Sequence, residues 1–126
     1  MNKVPVRKRW GQNFINDKNL INKIINSFNP DRNDIILEIG PGKGALTYPL
    51  SKKVKKIIAV EIDPVLISLL KKKLNDNVIL INDDILKFVD TSINKGFKII
   101  GNLPYYITTP IIFKFLESKN WSKMTI

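Results

Sequence analysis

The sequence predicts an α/β domain built on an open parallel sheet, and three observations carry that reading. Short apolar runs alternate with amphipathic stretches of helical period. The runs Ile35–Ile39, Ile57–Val60, Val78–Ile81 and Phe97–Gly101 each give way to a polar or glycine-rich segment. No repeat or low-complexity linker breaks the alternation. In sheets of this kind ligands bind at the carboxyl ends of the strands, so the residues after each run are where function is sought.

The elements follow in order. Asn16 is placed to cap a first helix in which Leu20, Ile21, Ile24, Ile25 and Phe28 share one face, a core face, and Pro30 and Asp31 end it. Strand Ile35–Ile39 opens into Gly40-Pro41-Gly42-Lys43-Gly44, with glycines at every second position that permit positive φ or close backbone approach. The next helix is expected to begin near Gly44 and to run from Leu46 to Val54. A nucleotide-type ligand can lie against such a loop. The spacing G-x-G-x-G is not the G-x-G-x-x-G that seats a pyrophosphate, which argues against a dinucleotide.

The second strand, Ile57–Val60, ends at Glu61, about 20 residues past the glycines, where a ribose-binding acid is expected. One carboxylate can accept from two ribose hydroxyls, each charge-assisted bond contributing roughly 1.5–3 kcal/mol. Asp63-Pro64 reads as an N-cap with proline at the first helical position, opening a helix that buries Leu66, Leu69, Leu70 and Leu74. The third strand, Val78–Ile81, ends in Asn82-Asp83-Asp84. One of these acids can accept the amino group of an adenine while Ile85 covers the ring, and the other caps a turn; Asp84 is the expected ligand residue. The fourth strand delivers Asn102 to the sheet edge, Pro110 to Leu116 form a helix with Phe113 and Trp121 as packing residues, and the sequence ends at Met124-Thr125-Ile126, within a fifth strand.

The run Asn102-Leu103-Pro104-Tyr105 carries the chemistry. The exocyclic amine of a base is a poor nucleophile because its lone pair is delocalised into the ring. The side-chain oxygen of Asn102 and the main-chain oxygen of Leu103 can each accept one N–H, which localises the lone pair as a methyl group arrives. Pro104 fixes the turn, and Tyr105 can stack on the base, worth about 1–3 kcal/mol. No general base is obligatory, which suits a chain without histidine or cysteine. Read alone, Pro-Tyr-Tyr is equally a strand-ending turn with aromatic packing. The upstream glycine loop and Glu61 favour the catalytic reading.

With these residues in place the chain resembles the ribosomal RNA adenine dimethyltransferases, a family that includes small-subunit dimethyladenosine transferases and the erythromycin-resistance methyltransferases. The resemblance runs from about Arg7 to the last residue. It implies a Rossmann-like class I S-adenosylmethionine-dependent methyltransferase fold, truncated at its C-terminal side. Arg9-Trp10-Gly11-Gln12-Asn13-Phe14-Ile15 resembles the family's N-terminal cofactor motif, with Asn13 and the Ile15 backbone at the methionine end. Glu38 to Leu46, with Gly40 and Gly42, resembles its glycine loop, Glu61 its ribose acid, and Asp84-Ile85 its adenine contact. Asn102 to Tyr105 resembles its catalytic tetrad, Asn102 also touching the cofactor.

Arg7-Lys8-Arg9 ahead of Gly11-Gln12-Asn13-Phe14, together with Gly44-Ala45-Leu46-Thr47, is similar to the small-subunit branch, in which two adjacent adenines of the terminal small-subunit hairpin are dimethylated. Tyr106 departs from the asparagine many relatives carry, and is expected to reshape the pocket without abolishing it. Relatives are about twice as long. Residues 1–126 are therefore expected to be the N-terminal part of the catalytic domain, with 1–12 a basic arm and a helical C-terminal domain absent. The implied partners are small-subunit ribosomal RNA and its precursor particle, bound by a monomer with a role in subunit biogenesis.

Composition bounds these expectations. The 126 residues, 44% of them hydrophobic, suffice for one domain with a core. A formal charge of +10 indicates an anionic partner, RNA above all. Lys52-Lys53, Lys55-Lys56 and Lys71-Lys72-Lys73 read as solvated faces. Lys3, Arg7, Lys8 and Arg9 beside Trp10 are better candidates for phosphate contact, or else a poorly held tail. With no cysteine or histidine, a disulfide is excluded and a transition-metal centre is not expected. No apolar signal segment occurs in Met1–Asn13, and no apolar run approaches the ~20 residues needed to span a bilayer, so a soluble, cytoplasmic protein is expected. Two rival readings stay open at this point: methylation of adenine in DNA, whose enzymes usually carry proline where Leu103 stands, and a non-catalytic RNA-binding or assembly role.

Overall fold

The computed structural model describes residues 17–90, 93, 96–102, 108, 110–112, 114, 115 and 120–126. They form a five-stranded, wholly parallel sheet of strands β1 (Ile35–Ile39), β2 (Lys56–Glu61), β3 (Val78–Asn82), β4 (Phe97–Gly101) and β5 (Trp121–Thr125), in the order β3-β2-β1-β4-β5. The chain enters at the centre, winds outward to β3, then returns to the other side of β1. The strand order therefore reverses between β1 and β4, and a crevice opens at such a switch point.

Both faces of the central strands β1, β2 and β4 are covered, which explains why these strands read as largely apolar runs, whereas the edge strand β3 leaves Ile79 exposed. Successive side chains point to opposite faces. Ile36, Ile57, Ala59 and Ile100 meet Phe28, Leu50 and Val54 on one side. Leu37, Ile39, Val60, Phe97 and Ile99 meet Ile85, Phe88, Ile93, Ile111 and Phe115 on the other. An ion pair of 2.8 Å between Lys98 Nζ and Asp34 Oδ2 joins the starts of β4 and β1.

The helices are shorter than the sequence pattern implied. Helix α1 spans Lys18–Phe28 and is capped by Asp17, whose carboxylate accepts from the N–H groups of Asn19 and Leu20; the expected cap, Asn16, lies outside the described residues. It ends one step before Pro30, on Asn29 in the left-handed conformation at φ 53°. Ile21, Ile25 and Phe28 are buried, whereas Leu20, at the edge of the apolar stripe, faces solvent. Helix α2 is only Thr47–Ser51, not Leu46 to Val54. The Asn77 side chain takes the carbonyls of Ser51 (2.7 Å) and Val54 (3.3 Å), so these groups are satisfied without another helical turn. Helix α3 (Pro64–Leu70) has the expected Asp63 cap, with Val65 N–H to Asp63 Oδ1 at 2.9 Å. It buries Leu66, Ile67 and Leu70; Leu69 is exposed, and Leu74 falls beyond the helix. Among the later residues, Thr108, Pro110, Ile111, Ile112, Lys114 and Phe115 are helical. Trp121 acts in packing, as expected, its indole N–H donating to the Phe115 carbonyl at 2.6 Å; Phe113 lies outside the described residues. No described helix is long and apolar enough to cross a membrane.

Candidate active site

The register of the parallel strands lines up one row of residues across the carboxyl edge. Ile39 pairs with Val60 on one side and with Gly101 on the other, and Glu61 pairs with Asn82. Carrying the register forward one residue puts Asn82, Glu61, Gly40 and Asn102 side by side. Glu61 and Asn102 thus flank the exit of β1, roughly 10 Å apart at two strand spacings of about 4.8 Å. The glycine loop leaves from between them, at the switch point.

Glu61 organises this edge. Although charged, it is only 4% exposed. One carboxylate oxygen accepts from Gly42 N–H at 3.1 Å and the other from Asp63 N–H at 3.0 Å. Its carbonyl accepts from Asp83 N–H at 3.1 Å and from the Asn82 side-chain amide at 2.9 Å. One residue therefore ties together the glycine loop, the start of α3 and the exit of β3. The Ile62 N–H also bonds to the carboxylate, so among the described residues three backbone N–H groups hold an acid that has about four acceptor positions. Gly40, Gly42 and Gly44 all adopt positive φ, at 65°, 60° and 86°. At Gly44 an added Cβ would also meet Leu70 Cδ2 at 3.0 Å, so the loop packs directly on α3.

Glu38, which opens the glycine-loop motif but has no site role expected from the sequence, is a second buried acid. Glu38 is 2% exposed inside β1, and Thr47 Oγ1 donates to its Oε1 at 2.6 Å from the first turn of α2. Burial raises its pKa to about 7; the Thr47 bond lowers it and the charge of Glu61 raises it further. Glu61 is also raised, chiefly by burial, against the lowering effect of the Asp63 and Gly42 N–H groups. Its signal was visible: Glu38 is a charged residue inside the run Ile-Ile-Leu-Glu-Ile, where a solvated acid has no place.

The β3 exit departs from expectation in two ways. Both acids there make local backbone bonds: Asp83 Oδ1 accepts from Asp84 N–H at 2.7 Å, and Asp84 Oδ1 accepts from Leu86 N–H at 3.0 Å. Turn capping is thus shared, and among the described residues it uses one oxygen of Asp84. Ile85 does not cover an open face. Its side chain is 5% exposed and packs with Leu37, Ile39, Val60 and Phe88, because the turn after Asp84 drives it into the core. Lys114 holds that turn. Its ammonium donates to the carbonyls of Ile85 and Phe88 and lies 5.6 Å from the centre of the Phe115 ring. Burial lowers its pKa, opposed by the charges of Asp90, Asp83 and Asp84. Nothing in the sequence singled Lys114 out, since an amphipathic helix carries many lysines.

Asn102 is half-buried at the end of β4 and engaged in further contacts. Leu103, Pro104, Tyr105 and Tyr106, the cofactor-motif residues Asn13 and Ile15, and the basic residues Arg7, Lys8 and Arg9 with Trp10 lie outside the described residues.

Comparison with known proteins decides the family. Residues 4–126 match the ribosomal RNA adenine dimethylase family. The chain belongs to that family. It is 45% identical to ribosomal RNA small subunit methyltransferase A of Caldanaerobacter subterraneus, an alignment covering 98% of the chain and 49% of that protein. It is 51% identical to the protein of the same name from Fusobacterium nucleatum, covering 90% of the chain and 45% of the relative. Among solved structures, the 23S rRNA methyltransferase ErmE superposes with a TM-score of 0.81 at 31% identity, over 90% of this chain and 48% of that one. The fold is thus that of Rossmann-like class I methyltransferases, and the chain spans about half the length of the relatives it matches.

Proposed function

We propose that this chain is the cofactor-binding and catalytic part of an S-adenosylmethionine-dependent ribosomal RNA adenine dimethyltransferase, acting on two adjacent adenines in the terminal hairpin of small-subunit RNA. The observation that carries the reading is the row Glu61–Gly40–Asn102 at the switch point: a buried acid held by backbone N–H groups and an amide flank a glycine loop in positive φ. The family match and the small-subunit relatives support the substrate class.

The residues present fit the cofactor. Two desolvated acids, Glu38 and Glu61, stand one strand apart, and their raised pKa values are what a cationic ligand relieves. In this reading Glu61 accepts from the ribose hydroxyls, and Asp84, with the Ile85 backbone, meets the adenine. Gly40 and Gly42 let the ligand approach the backbone, and Asn13 and Ile15 hold the methionine end by family likeness. S-adenosylmethionine, when bound, supplies an electrophilic methyl group on a positively charged sulfur.

The chain's own part is orientation. The Asn102 side-chain oxygen and the Leu103 carbonyl each accept an N–H of the target amine and localise its lone pair. Pro104 holds the turn, and Tyr105 stacks on the flipped base, offsetting part of the few kcal/mol that flipping costs. The amine proton is released to solvent after alkylation, so no histidine is needed. Arg7, Lys8 and Arg9 contact phosphate. In the wider reading, residues 1–126 are the N-terminal part of the catalytic domain, 1–12 a basic arm, and the whole protein acts as a monomer on the pre-30S particle in the cytoplasm. Neither DNA methylation nor a purely binding role draws support from the named relatives.

The test is transfer of labelled methyl groups by the protein as its gene encodes it, into small subunits lacking the modification. The expected result is label in two adjacent adenines and none in duplex DNA. A folded, cofactor-binding protein that labels neither adenine would overturn the reading.

A further inference from the structure

At the rim of the sheet opposite the glycine loop, a groove of about 830 Å³ opens between the C-terminal end of α1 and α2. It lies at the amino end of β1, where Lys55 N–H donates to the Asp34 carbonyl at 3.0 Å. Arg32, Lys52 and Lys53 line it, all exposed, and among the described residues none of the three is ion-paired. Tyr48 stands beside them, 46% exposed, with the Lys52 ammonium 4.4 Å from its ring centre. The side-chain amides of Asn26 and Asn29 add neutral donors to the wall. Asp31 is the acid in the lining, and its Oδ1 is taken by Asn33 N–H at 2.8 Å.

Lys52-Lys53 alone reads as a solvated pair. Folding changes this by bringing Arg32, from the far side of β1, and a half-exposed aromatic ring to the same concavity. Unpaired cations around an aromatic platform are the chemistry that holds a phosphate backbone with a base or ribose against the ring.

We infer that this groove is a second RNA-contact surface, holding a stretch of the ribosomal RNA other than the one that carries the target adenine. The inference rests on the RNA-methylation reading above and extends it. The five residues of β1 put the Arg32 end of the groove about 16 Å from the Gly40 edge at roughly 3.3 Å per residue, while Tyr48, whose N–H donates to the Gly44 carbonyl, lies one helical turn from the glycine loop. A folded RNA, with its two backbones, presents phosphates on this rim as well as at Asn102. Arg32, Lys52 and Lys53 neutralise phosphates, and Tyr48 stacks against an unpaired nucleotide.

The experiment measures binding of the gene-encoded protein to small subunits lacking the modification, and to the isolated target hairpin, across a range of salt. The combined variant Arg32→Glu, Lys52→Glu, Lys53→Glu is expected to bind subunits at least about tenfold more weakly at 0.1 M salt. Its slope of log affinity against log salt should fall by about 2–3. Tyr48→Ala should weaken subunit binding about fivefold or more. Hairpin binding and S-adenosylmethionine affinity should stay at the wild-type level, the latter also reporting that the variants fold. Unchanged subunit affinity and salt slope would overturn the groove's role, as would an equal loss of cofactor or hairpin binding. Wild-type protein that binds the cofactor but no subunits would overturn the methylation reading, and the groove's role with it.

Discussion

Asn102, Glu61 and Glu38 have separable effects on turnover, cofactor binding and stability. If Asn102 localises the amine's lone pair, Asn102→Ala should cut turnover by at least about 100-fold, the scale of a lost transition-state acceptor, and change cofactor affinity far less. Single-turnover methyl transfer beside equilibrium binding reads the two effects apart. Glu38 makes a pH prediction. Its carboxyl is raised from 4.5 to about 7 in the folded chain. A raised carboxyl contributes stability fully below its unfolded value and loses that contribution as pH climbs to its folded value. Glu38→Gln keeps an acceptor for Thr47 and does not titrate. Its stability relative to the parent should therefore rise by up to about 3 kcal/mol between pH 4.5 and 7, at roughly 1.4 kcal/mol per unit. Urea unfolding at several pH values measures this, and a pH-independent difference would contradict it. Residue identity made Asn102 and Glu61 legible, because strand ends and glycine spacing announced them. Glu38 stood out as a charge in an apolar run and as the first residue of the glycine-loop motif, with no role of its own. The bonds that make Glu61 a hub, from Gly42 and Asp63, are tertiary and left no trace in sequence.

Among the elements, the glycine loop and the turn after β3 are the parts most sensitive to change. Gly44→Ala places a side chain at φ 86° with its Cβ 3.0 Å from Leu70. It should destabilise the fold by about 1–2 kcal/mol from the backbone alone, read by denaturant unfolding, with more lost if α3 cannot shift. Lys114→Met leaves the carbonyls of Ile85 and Phe88 without their donor. A loss of about 1–3 kcal/mol is expected, together with weaker cofactor binding, and Lys114→Arg should restore part of both. Strand positions were legible in the apolar runs to within a residue. Helix ends were not: α2 stops at Ser51 because Asn77, far along the chain, satisfies its carbonyls. The apolar Leu69 and Leu20 look outward because a helix stripe is narrower than the list of its leucines.

For the whole molecule, the alternation of elements foretold a parallel sheet, but alternation alone does not fix strand order. The order β3-β2-β1-β4-β5 puts the two richest motifs, the glycine loop and Asn102, on adjacent strands at the reversal. That juxtaposition turns separate motifs into one site. The charge of +10 was legible as a demand for an anionic partner; its gathering of Arg32, Lys52 and Lys53 around Tyr48 was not, since they flank β1 in sequence and meet only on folding. The central claim is that the carboxyl edge around Glu61 is a nucleoside-cofactor site. Calorimetric titration of the folded protein with S-adenosylmethionine, beside Glu61→Ala, tests it most directly. Saturable binding that the substitution weakens by about tenfold or more is the predicted result, one charge-assisted bond being worth roughly 1.5–3 kcal/mol; binding that Glu61→Ala leaves unchanged, or none by a folded chain, would contradict it.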